Sequence, residues 1–182
     1  MTRIIGISGS LRKHSFNTAL LRTAAGMMPQ GCELDIRSIA GIPLYNGDDE
    51  TEHGLPAAVV ELKQAIAASD GLLISTPEYN NAMPGVLKNA IDWLSRPPED
   101  VSRVFGGRPL ALMGATPGGF GTVLAQAAWL PVFRTLGTRF WSSGKLMVPG
   151  ASRVFDAQGE LADEQLRERL AAFVKGFVAF VR

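Results

Sequence analysis

The chain has 182 residues, 46% hydrophobic and 19% charged, with a formal net charge of +1, which is enough material for one buried core. Its charges are scattered, so neither the basic block of a nucleic-acid binder nor an acidic tail is present. A single cysteine, Cys32, excludes an internal disulfide and points to a reducing compartment, and with only two histidines beside it a zinc site has no donor set.

In chain order, residues 3–7 form a short β-branched run that reads as a strand. A helix is expected over 15–28, with Phe16, Leu20, Ala24 and Met27 at core spacing, stopped by Pro29-Gln30-Gly31. Residues 32–36 alternate apolar and acidic side chains, as an edge strand with one wet face would. A long polar loop, 41–54, carries Pro43, Tyr45 and the acidic run Asp48-Asp49-Glu50. Helix 55–69 follows, with Val59, Leu62 and Ile66 on one stripe, and then strand 71–76, apolar throughout and so central in a parallel sheet.

Beyond a Pro-rich loop, helix 86–94 is expected to turn Val86, Ala90, Ile91 and Leu94 inward, until Arg96-Pro97-Pro98 breaks it. Strand 109–115 and the Gly-rich loop 116–121 precede a helix over 122–136, which Pro131 should kink or restart. The fifth strand falls within 140–148, around 145–148. After a connection over 149–160, helix 163–181 closes the chain on Leu166, Leu170, Phe173, Val174, Phe177 and Val181. No apolar run has membrane-spanning length, and Ile4 and Ile5 lead into a loop rather than a signal peptide. The expectation is a cytoplasmic protein with one domain over 1–182, and with no metal, nucleic acid or membrane among its partners.

Five strand–helix units predict an α/β fold: a doubly wound, five-stranded parallel sheet of order 2-1-3-4-5 with helices on both faces. Ligands of such sheets sit beyond the carboxyl ends of the strands, where strand order reverses. The loops 8–17 and 77–85 would face each other there, with 116–121 beside them.

Loop 8–17 contains three serines, Arg12 and Asn17 and leads into a helix, where backbone dipoles favour an anion. Gly6 and Gly9 lack the spacing of a dinucleotide fingerprint, and the triphosphate loop pattern is absent. Gly6-Ile7-Ser8-Gly9-Ser10 lacks the second glycine of a nucleophile elbow, and both histidines lie too early for such a hydrolase. A phosphate cradle is therefore favoured over a plain surface turn. Loop 77–85 is braced by Pro77 and Pro84; it reads either as a rigid rim for a flat heteroaromatic ring, with Tyr79 as apolar surface, or as a well-made turn with Tyr79 packed beneath it. Gly118, Gly119 and Gly121 permit close backbone approach or form a flexible turn.

The stretches Gly9-Ser10-Leu11-Arg12-Lys13-His14-Ser15-Phe16-Asn17, Thr76-Pro77-Glu78-Tyr79-Asn80 and Pro84-Gly85-Val86-Leu87-Lys88-Asn89-Ala90-Ile91-Asp92-Trp93 resemble the NADPH-dependent FMN reductase family, which includes quinone and chromate reductases and some azoreductases. The resemblance implies a flavodoxin-like fold and non-covalent FMN, with NADPH or NADH as co-substrate. By position, it assigns the FMN phosphate to Ser10, Leu11, Arg12, Ser15, Phe16 and Asn17. It assigns the ring and ribityl chain to Pro77, Glu78, Tyr79 and Asn80, and the far side of the ring to Thr116, Gly118 and Gly119. The reactive atom would be flavin N5, so no side chain is named as catalytic. It further implies a homodimer or homotetramer, with helix 88–93 near the contact.

The expected function is ping-pong hydride transfer from NAD(P)H to quinones or other flat acceptors, chromate, azo compounds and free flavin among them. Loops rich in donors, with no paired carboxylates or histidine cluster, suit a cofactor that performs the redox step. Arg12 is the strongest individual candidate, an arginine among serines at a helix start. Glu78 is read as an orienting residue rather than an acid, and Trp93, Trp129 and Trp141 as packing. Arg108 and Lys145 qualify for a nucleotide phosphate only by charge. A flavodoxin-type electron carrier and a non-flavin phosphate-binding protein remain the alternatives; a net charge of +1 does not suit the one-signed docking face of a carrier.

Overall fold

The computed structural model describes all of residues 1–182, and its first strand, β1 (Thr2–Ser8), is the axis of the sheet. β1 pairs in parallel with β2 (Cys32–Arg37) on one side and with β3 (Gly71–Ser75) on the other. β3 then pairs with β4 (Pro109–Ala115), which carries β5 (Arg139–Phe140) and β6 (Leu146–Val148) on its far side, all parallel. The order β2-β1-β3-β4-β5 is the one expected, and strand order reverses between β1 and β3.

Alternation along the strands splits the apolar side chains between two faces. Ile4, Leu73, Ala111 and Met113 pack against α1 (Phe16–Ala25) and α8 (Glu164–Val181). Ile5, Leu72, Ile74, Leu110 and Leu112 pack against α3 (Ala57–Ala67), α4 (Gly85–Leu94) and α6 (Val123–Thr135). Both faces are covered, which is why β3 and β4 are buried at every position and apolar at every position but Ser75. A 3₁₀ turn at Pro98–Asp100 runs into the short α5 (Val101–Val104), whose last residue, Val104, closes the second face.

Five expectations change. The fifth strand is two pieces: the Trp141 N–H makes the last bond from β5 to β4, to Leu110 C=O at 2.8 Å, and its ring packs on Phe173 and Phe177 of α8 at 5.1 and 5.7 Å before pairing resumes at β6. The intervening Gly144 lies so close under the indole that a Cβ there would meet it at 2.0 Å. The acidic loop holds a helix, α2 (Gly47–His53), capped by the Asn46 side chain and with Asp48, Asp49 and Glu50 in its first turn, where the helix dipole favours them. It buries nothing, so it carries no hydrophobic period to read. Val86 is exposed and Leu87 takes the inward position in α4. α6 runs on through Pro131; Pro131 and Ala127 are both on the exposed face, so the carbonyl that loses its N–H partner there can be hydrated. The connection after β6 includes α7 (Ala151–Val154).

Candidate functional site

The three loops meet at the carboxyl ends of β1, β3 and β4. Each leaves its strand by extending the ladder one bond further: Gly9 N–H to Ser75 C=O at 2.8 Å, Thr76 N–H to Met113 C=O at 2.8 Å, and Thr116 N–H to Val148 C=O at 3.0 Å. The first two loops touch directly. A Cβ at Gly9 would stand 2.8 Å from Leu87 Cδ2 and 2.9 Å from Pro77 Cδ, so only glycine lets β1 exit against the second loop.

The first loop is folded by its own hydroxyls. Ser8 Oγ accepts from Ser10 N–H at 3.4 Å and from the Thr18 hydroxyl at 2.9 Å, and Ser10 Oγ accepts from Arg12 N–H at 3.3 Å. Ser15 caps α1 by accepting from Thr18 N–H at 3.3 Å. The backbone N–H groups of Leu11, Lys13, His14, Ser15, Phe16 and Asn17 have no acceptor within the chain. The Arg12 guanidinium makes no ion pair, and no carboxylate lies in the loop. Six free N–H donors, serine hydroxyls and a free cation at a helix start form a donor set suited to a phosphate dianion.

Two residues of this set have their side chains engaged elsewhere. Asn17 is 3% exposed, and its amide donates to Ala115 C=O while its oxygen accepts from the Ser75 hydroxyl at 2.9 Å and from Ala115 N–H at 3.0 Å. It ties α1 to the ends of β3 and β4 and offers the loop its backbone N–H. The Phe16 ring stacks on Phe155 at 5.5 Å, so it too faces the loop through its backbone. Leu11 is 54% exposed at the loop's outer edge.

The second loop is a two-residue hairpin. Tyr79 and Ala82 exchange backbone hydrogen bonds at 3.1 and 3.0 Å, and Asn80 and Asn81 both take positive φ, +50° and +60°, as a type I′ turn requires. Pro77 is buried beneath it, while Tyr79 remains 43% exposed. Glu78 faces away from the turn: Oε2 accepts from Leu124 N–H at 2.9 Å and Ala125 N–H at 3.0 Å, the first turn of α6. The carboxylate thus fastens the second loop to the helix that follows the third. Thr76 is pinned in turn by the Trp129 indole N–H at 3.2 Å.

In the third loop Thr116 Oγ1 accepts from Gly118 N–H at 3.3 Å, and Gly118 C=O accepts from Gly150 N–H at 3.0 Å. Gly119 faces open space, and beside it Phe120 is 69% exposed. Below them Gly114 admits the buried Thr122, whose Oγ1 would lie 2.2 Å from a Cβ at that position. The structure therefore gathers all thirteen sequence-designated positions on one sheet edge, with the side chains of Phe16, Asn17 and Glu78 engaged by other parts of the protein. Sequence reading counted Ser8 only among the serines of the loop and passed over Thr18, Ser75, Thr122 and Phe120. Only Phe120, an aromatic among glycines, carried a local signal. Arg108 lies away from the site: it donates to Val104 C=O at 2.5 Å and to Ser69 C=O, at the opposite ends of the strands.

Beyond the sheet edge, the segment after β2 is clamped to α4. Asn89 accepts from Tyr45 N–H and donates to Pro43 C=O, both at 2.8 Å, and the Trp93 indole donates to the same carbonyl at 2.9 Å. Glu50 joins Arg96 at 2.8 Å and the Tyr45 hydroxyl at 2.9 Å. Partial burial pushes the Glu50 carboxyl up, but these two bonds outweigh it and hold the group below the usual carboxylate range.

A family model described as NADPH-dependent FMN reductase matches residues 2–153. An NAD(P)H-dependent FMN reductase of Pseudomonas aeruginosa is 43% identical over 180 residues, covering 99% of this chain and 95% of that one. A 2-hydroxy-1,4-benzoquinone reductase from a Burkholderia species is 38% identical over 180 residues, covering 99% and 96%. Among solved structures, the flavoenzyme FerB, an NAD(P)H:(acceptor) oxidoreductase from Paracoccus denitrificans, superposes with a TM-score of 0.87 at 33% identity, covering 100% of this chain and 97% of that one. With a flavodoxin-like sheet, a matched region that includes all three loops, and identity at this level along the full length, the chain belongs to the NADPH-dependent FMN reductase family.

Proposed function

We propose that this enzyme passes a hydride from NAD(P)H to a quinone-like acceptor through FMN held at the crevice between β1 and β3. One observation carries the reading: six unpartnered backbone N–H groups and an unpaired arginine lie in one short loop without a carboxylate. Ser10, Leu11, Arg12, Ser15, Phe16 and Asn17 hold the phosphate, Phe16 and Asn17 by their N–H groups. Pro77, Glu78, Tyr79 and Asn80 border the ring, and Thr116, Gly118 and Gly119 border its far side.

Bound FMN supplies the hydride-accepting centre, N5, which leaves the protein the tasks of binding, orientation and field. The type I′ turn holds the free N–H groups of Asn80 and Asn81 in fixed directions, and Glu78 holds the turn against α6. Tyr79 and Phe120 offer exposed apolar faces on which a flat ring can lie. A crevice this open admits reductant and acceptor in turn, which is a ping-pong order with broad acceptor tolerance, extending to chromate, azo compounds or free flavin. Val86, Leu124 and Leu130, each at least 40% exposed on α4 and α6, supply apolar surface for a homodimer or homotetramer. The protein works in the cytoplasm.

The test is flavin content together with turnover. Purified protein should hold FMN after desalting and oxidise NAD(P)H with a quinone and no partner reductase. FMN retention without turnover would favour an electron carrier, and failure to take up added FMN would refute the site.

A further inference from the structure

A cleft of about 590 Å³ runs along the outer face of α1. Its near wall carries Arg12, Ser15, Ala19, Arg22 and Met27, and its far wall is the 156–160 turn with Arg167 of α8. Arg12, Ser15 and Phe16 belong both to this cleft and to the proposed phosphate cradle, so the two are continuous. The ten residues of α1 give the wall a length of about 15 Å.

The lining is mixed in a specific way. Arg12, Lys13 and Arg22 form no ion pair, while Arg167 is shared with Glu164 at 3.3 Å. Opposite them, Asp156 Oδ1 closes its own turn by accepting from Gln158 N–H at 2.9 Å and Glu160 N–H at 2.8 Å, which leaves Oδ2 free, and Glu160 adds a second carboxylate. A pure polyanion such as polyphosphate would be repelled by that wall. A nucleotide would suit both walls, with phosphate toward the arginines and ribose hydroxyls toward the carboxylates. The volume lies within the range of small-ligand sites.

We infer that this cleft is a nucleotide subsite that receives the adenylate half of FAD, so that the protein accepts FAD as well as FMN. The inference rests on the cradle assigned above. Continuity with that cradle favours a nucleotide tethered through the flavin phosphate over the adenosine end of a free reductant.

Calorimetric titration of flavin-free protein with FMN and with FAD tests it. FAD should bind within about tenfold of FMN, and Arg22→Gln should weaken FAD about tenfold while leaving FMN unchanged, with Arg22→Glu weakening FAD further. Arg22 is exposed, and circular dichroism with the FMN titration reports whether each variant is folded. FMN binding with FAD more than about 100-fold weaker would overturn the cleft assignment alone. So would Arg22 variants that move both flavins equally. A higher KM for NADPH in FMN-loaded Arg22→Glu, with FAD affinity unchanged, would assign the cleft to the reductant and overturn it as well. Failure of both flavins to bind would refute the cradle and the cleft together.

Discussion

The side-chain amide of Asn17 and the backbone of Ala115 exchange two hydrogen bonds across 98 residues of sequence, at 2.9 and 3.0 Å. An amide plane on α1 thereby takes the place of a neighbouring strand at the end of β4. The same oxygen accepts from the Ser75 hydroxyl, so one buried residue fixes the first loop relative to the two strands that launch the others.

Asn17→Ala should therefore cost more stability than an ordinary polar truncation. It strands a buried N–H, a buried C=O and a buried hydroxyl, and the expected loss is about 3 kcal/mol. Urea unfolding should show a lower midpoint with an unchanged slope. FMN retention should fall with it, because the N–H groups of the loop lose their common support.

Arg12→Ala should behave in the opposite way. The side chain is exposed and has no protein partner, so the melting temperature should not move. FMN affinity should fall about 10- to 100-fold, the worth of a charge-assisted hydrogen bond to phosphate. An unchanged dissociation constant would show that the cradle lies elsewhere.

How much of this could be read from the sequence depends on the range of the interaction. Runs such as Pro109–Ala115 are legible because burial on both faces makes every residue apolar, and the strand falls where the pattern puts it. The proposal for Arg12 has a local basis, a cation among hydroxyls before a helix. The partners of Asn17 and Glu78 were not legible, since they lie 98 and 46 residues away and only the fold brings them together, although Glu78 was read as orienting its loop. Trp141 is the counterpart in the core. Its N–H is still bonded to β4 while its ring packs on Phe173 and Phe177 of α8, a contact between distant segments that no local pattern announces.

Glu78→Ala should uncap α6 and free the second loop. The expected cost is about 1 kcal/mol in stability, with weaker flavin retention and a changed visible spectrum of the bound flavin. Glu78→Gln keeps an acceptor oxygen near Leu124 and Ala125 N–H, and should restore most of both. If Gln and Ala were equally impaired, the carboxylate charge rather than the cap would be the operative feature.

Asp100 makes the clearest pH prediction. Its hydrogen bonds from Arg103 and from the buried Lys63 hold its carboxyl well below the usual carboxylate range. A depressed folded pKa gives stability that is complete above the unfolded value, about 4, and is lost as pH falls through the folded value. Asp100→Asn should therefore melt lower than the parent at pH 7, and the gap should shrink steadily below about pH 4. A gap independent of pH would show that the lost contact is not ionic.

A chain that takes hydride from a nicotinamide and delivers it to a quinone at one crevice must seat the two ligands there in turn. Steady-state NAD(P)H oxidation against varied quinone, at several fixed nicotinamide concentrations, tests it most directly. Parallel double-reciprocal lines without any partner reductase are the expected result; intersecting lines would contradict the shared site, and no turnover by FMN-loaded protein would contradict the enzyme.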